Sequence, residues 1–133
     1  MTLALEIVSP EKLLLSKPVD LVVIPAAEGE MGVLPNHAPM IVLLRSGTIR
    51  LTSGGAVTDT LFITGGFAEI TPSRVTVLAT EATPVGELSR DAAQARLAAA
   101  DAAYAAADKM NITAVDAAME LQQAARAMLD AAT

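Results

Sequence analysis

The chain has no cysteine and no tryptophan, and its aromatic residues are Phe62, Phe67 and Tyr104. Without thiols, disulfides, thiolate nucleophiles and cysteine–zinc sites are excluded together. With so few aromatics, the core must be aliphatic, and a stacking platform for sugars or bases is not expected. Basic charge is also scarce: nine Lys and Arg stand against fifteen Asp and Glu, a net charge of −6. That balance lacks the basic stripe that a nucleic-acid backbone requires, and it suits anionic lipid headgroups poorly. A single histidine, His37, makes a transition-metal site improbable on ligand supply. Met1–Glu6 carries no basic n-region, and no apolar run approaches the roughly 20 residues of a spanning helix. The expectation is a chain with no leader, no membrane span and no lipid insertion of its own.

Proline and glycine are unevenly placed. All seven prolines and all eight glycines fall within residues 1–87, whereas roughly two in five of residues 88–133 are alanine. Turn punctuation followed by the best helix former predicts two domains, a β domain over 1–87 and an α-helical hairpin over 88–133. In the first, Leu3, Leu5 and Ile7 alternate with Ala4 and Glu6, the period of a half-buried strand. Leu13–Leu15 is a second apolar run. Val19, Leu21 and Val23 are expected on one face of a strand that Pro25 ends. Met40–Leu44, Thr48–Thr52, Val57–Thr64, Phe67–Thr71 and Arg74–Thr80 follow, with Val75 and Val77 facing one way. Arg45-Ser46-Gly47, Ser53-Gly54-Gly55, Gly65-Gly66 and Pro72-Ser73 supply the turns. Short strands at this spacing, without intervening helices, predict a sandwich or flattened barrel.

In the second half Ser89 is expected to cap a helix whose stripe is Ala93, Leu97, Ala100 and Tyr104. Residues 108–112 break it. Thr113 with Asp116 suggests a capping box for a second helix, with a stripe of Ala117, Leu121, Ala124 and Met128. Two stripes joined by a short polar loop predict an antiparallel pair.

Chemistry is hard to assemble from these residues. His37 has no local nucleophile or orienting carboxylate. Gly65-Gly66 leads into a strand pattern rather than a helix, so tight turns with positive φ outweigh a phosphate loop. Glu28 and Glu30 lack further oxygen donors for a hard cation, and a polar contact with a protein suits them better. The residues alone point to a non-enzymatic β-sandwich with a helical hairpin, without catalytic residues, cofactor or metal.

Glu28-Gly29-Glu30-Met31-Gly32-Val33-Leu34-Pro35-Asn36-His37-Ala38-Pro39 closely resembles the signature of the ATP synthase epsilon subunit family. Phe62–Ile70, Val75–Ala79 and the opening Leu5-Glu6-Ile7-Val8-Ser9-Pro10 fit the same family in the same order. The resemblance implies a sandwich of about ten strands followed by a C-terminal antiparallel two-helix hairpin. It also implies a non-catalytic place on the central stalk of an F-type, proton-translocating ATP synthase, between the gamma subunit and the c-subunit ring. By motif position, Glu28, Gly29, Glu30 and Met31 correspond to the contact with the c ring, and His37, Ala38 and Pro39 to a segment near gamma. The implied location is peripheral, on the cytoplasmic face of a bacterial inner membrane; the mitochondrial counterpart is called delta.

In many members the hairpin extends along gamma, reaches the alpha and beta subunits and obstructs hydrolysis. Here two features depart from the regulatory pattern. The stretch Leu88-Ser89-Arg90-Asp91-Ala92-Ala93 lacks the acid and the arginine of the hydrophobic-Asp-x-x-Arg-Ala motif through which some members bind ATP. Residues 113–133 carry Asp116, Glu120 and Asp130 against Arg126 alone. Both lead us to expect no useful ATP binding and weak self-inhibition. The competing readings are a freestanding β-sandwich adaptor or binding module, which lacks the usual exposed aromatics, and a small hydrolase, which lacks a nucleophile–base pair.

Overall fold

The computed structural model describes residues 2–132, which form two compact units dividing between Val85 and Gly86. The first contains ten strands: β1 (Leu3–Val8), β2 (Leu13–Val19), β3 (Leu21–Ala26), β4 (Gly29–Val33), β5 (Met40–Leu44), β6 (Gly47–Ser53), β7 (Ala56–Thr64), β8 (Gly66–Ile70), β9 (Arg74–Leu78) and β10 (Glu81–Pro84). Hydrogen bonding joins them in the order β10-β7-β6-β3-β5-β8-β9-β1-β2, with β4 on β3. The β3–β5 link is one residue pair, Ala26 with Leu44. There the sheet folds over into two layers, β4-β3-β6-β7-β10 and β5-β8-β9-β1-β2. Most pairs are antiparallel, while β1 and β9 run parallel.

The core is aliphatic, as the composition demands. Leu3, Leu5 and Ile7 of β1 face inward with Val75 and Val77 of β9, against Val22, Ile24, Ile49, Leu51, Leu61 and Ile63 of the other layer. Strict alternation places β1 and β9 as expected. The strand expected across Val19–Val23 is a correction: the chain bends at Asp20, β2 ends on buried Val19, and β3 begins anew with Val22 and Ile24 inward. Leu21-Val22-Val23-Ile24 has no polar residue to set its phase, and the bend decides it. Pro25 does not end that strand. Its carbonyl accepts from the Arg45 N–H, and having no N–H of its own it withholds no bond from β4 on the opposite edge.

Two glycine turns are conformationally required. Gly54 and Gly55 close the β6–β7 hairpin at φ 63 and 81. Gly66 has φ 115, and a Cβ there would lie 1.9 Å from the Leu78 carbonyl oxygen. No larger residue fits that approach.

The second unit contains α1 (Arg90–Ala106) and α2 (Ile112–Ala131). Ser89 caps α1 by accepting from the Ala92 N–H. The cap of α2 is Asn111, whose Oδ1 accepts from the Ala114 N–H at 3.2 Å. It replaces the expected Thr113 box, since asparagine is the stronger cap and reaches the chain first. Arg96 reaches the Met128 sulfur and Gln122 reaches Asp101, so α1 and α2 run antiparallel. The α1 stripe lies where expected, with Ala93 and Ala100 buried and Leu97 and Tyr104 half-buried. The α2 stripe holds at Met128, which is buried, but is turned by one residue before it: Ala118 and Ala125 are buried, Ala124 is half-buried, and Ala117 and Leu121 are exposed. Alanine on every face leaves no contrast to fix the phase.

A candidate partner-binding edge of the sandwich

Residues 26–33 form a β-hairpin. Ala27-Glu28 makes the turn and Gly29, at φ 143, starts β4, which pairs from Ala26–Gly29 to Val22–Val33. Glycine permits that entry, and alternation then sends Met31 and Val33 inward and Glu30 outward. Glu28 is exposed at the turn. Glu30 is not free: its Oε2 lies 2.8 Å from Nη1 of Arg50 on β6. Both partners remain substantially exposed, so the pair orients the carboxylate more than it stabilises the fold. Sequence reading missed Arg50, twenty positions away on a strand brought close only by folding.

Between the hairpin and β5 lies an open cleft of about 470 Å³, whose lining includes Ala26, Glu28, Glu30, Met31, Met40, Val42 and Leu43. β4 and β5 are the outermost strands of the two layers on this side, so the cleft is where the layers part.

Beyond Val33 the chain turns at Pro35-Asn36. Asn36 adopts φ 66, and its N–H donates to the Pro72 carbonyl at 2.7 Å, tying the loop to the β8–β9 turn. Asparagine tolerates this left-handed conformation better than other non-glycine residues. His37 follows, half-buried, with Nδ1 donating to the Ala38 carbonyl at 2.8 Å. Ala38 and Pro39 are exposed and lead directly into β5. Glu28–Met31 therefore spans the turn and the first half of β4, and His37–Pro39 follows beyond the far end of that strand, past the turn at Pro35-Asn36.

β5 carries a feature that its apolar run conceals. Ile41 and Leu43 are 71% and 70% exposed, and Phe67, directly opposite Leu43 on β8, is 40% exposed. Together they make an outward apolar strip contiguous with His37–Pro39. Met40–Leu44 is a continuous apolar run without alternation, and the exposure of Ile41 and Leu43 shows that one of its faces is open. Adjacent exposed apolar side chains on a stiff sheet are a binding surface in waiting. No cluster of three or more His, Asp or Glu that could hold a metal occurs among the described residues.

Residues 2–85 match the family model described as "ATP synthase, Delta/Epsilon chain, beta-sandwich domain". The ATP synthase epsilon chain of Granulibacter bethesdensis is 69% identical over 97% of this chain and 96% of its own length. That of Gluconacetobacter diazotrophicus is 50% identical over 99% and 94%. Among solved structures, a chain of the Euglena gracilis mitochondrial ATP synthase OSCP/F1/c-ring assembly superposes with a TM-score of 0.75 at 27% identity, covering 96% of this chain and 81% of that one. The two-layered sandwich, the helix pair and the hairpin with its flanking strip thus sit in a sequence related end to end to these proteins, and the chain belongs to the ATP synthase delta/epsilon chain family.

Proposed function

We propose that this chain is the non-catalytic rotor subunit of the central stalk of a proton-translocating ATP synthase, joining gamma to the c ring during ATP synthesis. The reading is carried by the 69% identity, over nearly the whole of both chains, to an ATP synthase epsilon chain. The geometry supports it. Transmitting torque without slip requires a body that does not shear, and a hydrogen-bonded two-layer sheet around an aliphatic core is such a body. Its contacts belong on short loops and strand faces held by that body. Glu28–Met31 is assigned to the c ring, with exposed Glu28 as the charge it meets. His37–Pro39, with the strip Ile41, Leu43 and Phe67, is assigned to gamma. The His37 ring donates to a backbone carbonyl, and no step of a reaction is assigned to it.

The location follows from those partners: peripheral, on the cytoplasmic face of a bacterial inner membrane. Regulation by the helices is weak in this reading. Asp116, Glu120 and Asp130 would meet acidic surfaces of alpha and beta with like charge, and only Arg126 offsets them.

The test is reconstitution with gamma and the c ring. The full chain is expected to co-purify with gamma. Glu28→Lys, which spares the Glu30–Arg50 pair, should lower proton-driven ATP synthesis several-fold while gamma stays bound. Removing residues 88–133 should leave ATP hydrolysis by the assembled enzyme nearly unchanged. A chain that ignores gamma overturns the assignment; unaltered coupling in Glu28→Lys removes the c-ring contact; a several-fold rise in hydrolysis after truncation refutes weak regulation.

A further inference from the structure

The cleft between the β3–β4 hairpin and β5 is left open by small residues. Ala26, Ala27 and Gly29 border it, and a Cβ built on Gly29 would meet no atom within 4 Å. Met31 and Val42 belong to its lining and also pack, partly buried, against the aliphatic core. Met40 lies on the same face of β5 as Val42 and buried Leu44, yet it is 39% exposed. A methionine on the inward face that still meets solvent marks a place where the core reaches the surface. The volume, about 470 Å³, lies within the roughly 300–1,000 Å³ of small-molecule sites. Thioether side chains are flexible and polarisable, so such a wall adapts to an apolar guest.

Charge narrows the choice of guest. Glu28 and Glu30 are the charged side chains of the lining, and no Lys, Arg or His contributes to it. The Glu30 carboxylate is engaged by Arg50 at 2.8 Å. Glu28 is exposed and forms no ion pair among the described residues. An apolar wall beside one uncompensated carboxylate repels anions and leaves the carboxylate unused by a neutral molecule. An apolar body that carries a positive charge satisfies both.

We propose that this cleft is a binding site for small amphipathic cations, in which a short aliphatic chain bears an ammonium group. The hydrocarbon lies against Met31, Met40 and Val42, and the ammonium pairs with Glu28. The site stands on the cleft and its charge, independently of the rotor assignment. If Glu28 meets the c ring, as that reading has it, a bound cation and the c ring compete for the same carboxylate.

Titration of the full chain with hexylammonium, followed residue by residue in amide NMR spectra, tests this. Saturable shifts should concentrate in Ala26–Met31 and Met40–Leu43. Affinity should rise about fourfold for each methylene added between butylammonium and hexylammonium, the worth of a buried CH₂. Glu28→Gln keeps the shape of an exposed side chain and removes its charge. It should weaken hexylammonium by about two- to fivefold, the range of an exposed ion pair, and leave hexanol unchanged. Hexanoate, with the same chain and the opposite charge, should produce no shifts in the cleft. Met40→Lys sets a cation of the protein's own in the lining, at a position already open to solvent, and should abolish binding. Equal affinity for hexanol and hexylammonium, or for the native chain and Glu28→Gln, overturns the cation. Shifts centred on Phe67 or on the helices overturn the site, as does a titration without saturable shifts.

Discussion

The two units are held together by different side chains. The sandwich buries branched aliphatics, from Leu3 and Ile7 to Val75 and Val77, with essentially no exposure; in the helical unit four of the five fully buried residues among those described are alanines. Burying a Leu, Ile or Val side chain contributes about 1.5–3 kcal/mol and a single methyl about 0.8 kcal/mol. The backbone sharpens the contrast. A helix satisfies its own N–H and C=O groups, whereas a strand pulled from a sheet leaves its neighbour's groups unpaired. Separating α1 from α2 therefore sacrifices little burial and orphans no backbone, while no strand of the sandwich can leave without doing both. The sandwich is thus the stiffer of the two units.

The harshest way to break that contrast is to attack the sheet where it tolerates nothing. At Gly66 a Cβ would sit 1.9 Å from the Leu78 oxygen, a backbone atom that cannot swing aside, at φ 115. Gly66→Ala should cost on the order of 4 kcal/mol through overlap and backbone strain. Urea or thermal unfolding of the purified chain reads it; a loss below about 1 kcal/mol would show a sheet far softer than torque transmission needs.

Legibility divides along the same line. Where polar and apolar residues alternate, as in Leu3–Ile7 and Arg74–Leu78, strand, face and register could be read directly. Where hydropathy is uniform they could not. Leu21-Val22-Val23-Ile24 left its phase to the bend at Asp20, Met40–Leu44 hid an open face, and the alanines of α2 let a stripe through Leu121 look as good as one through Ala125. At the candidate site, Glu28, Glu30 and His37 stood out by residue type and motif. Arg50 and Phe67 did not, because pairing across strands, which no local window contains, brings them there. β4 went unread because two glycines in five residues signal a turn more strongly than a strand.

The helical unit offers a smaller test of the same distinction. Leu121 is 55% exposed and Ala125 is buried. Leu121→Ala should change stability by less than about 0.5 kcal/mol, as for other surface positions. Ala125→Leu should cost about 1–3 kcal/mol by overpacking. Helical circular dichroism followed through thermal unfolding separates them, and the reverse ranking would restore the stripe through Leu121.

The smallest effect concerns how the layers are clasped. Lys17 on β2 pairs with Asp59 on β7. Asp59 is held below the usual carboxylate range, chiefly by the hydrogen bond from Lys17, against a partial desolvation, with Thr58 assisting. A depressed folded-state pKa means that the bond's stabilisation is present above the unfolded value, near 3.9 for an aspartate, and is lost as pH falls through the lower folded value. About a third of each side chain is exposed, so solvent screening holds the contribution below about 1 kcal/mol. Asp59→Asn should thus lower stability slightly at neutral pH, and the deficit should shrink as the native chain is acidified or salt is raised. A deficit that is unchanged under strong acid would mean that Asp59 acts through packing or through its Thr58 contact. The clasp would then be structural filler, and resistance of the sandwich to shear would rest on its core and its ladders alone.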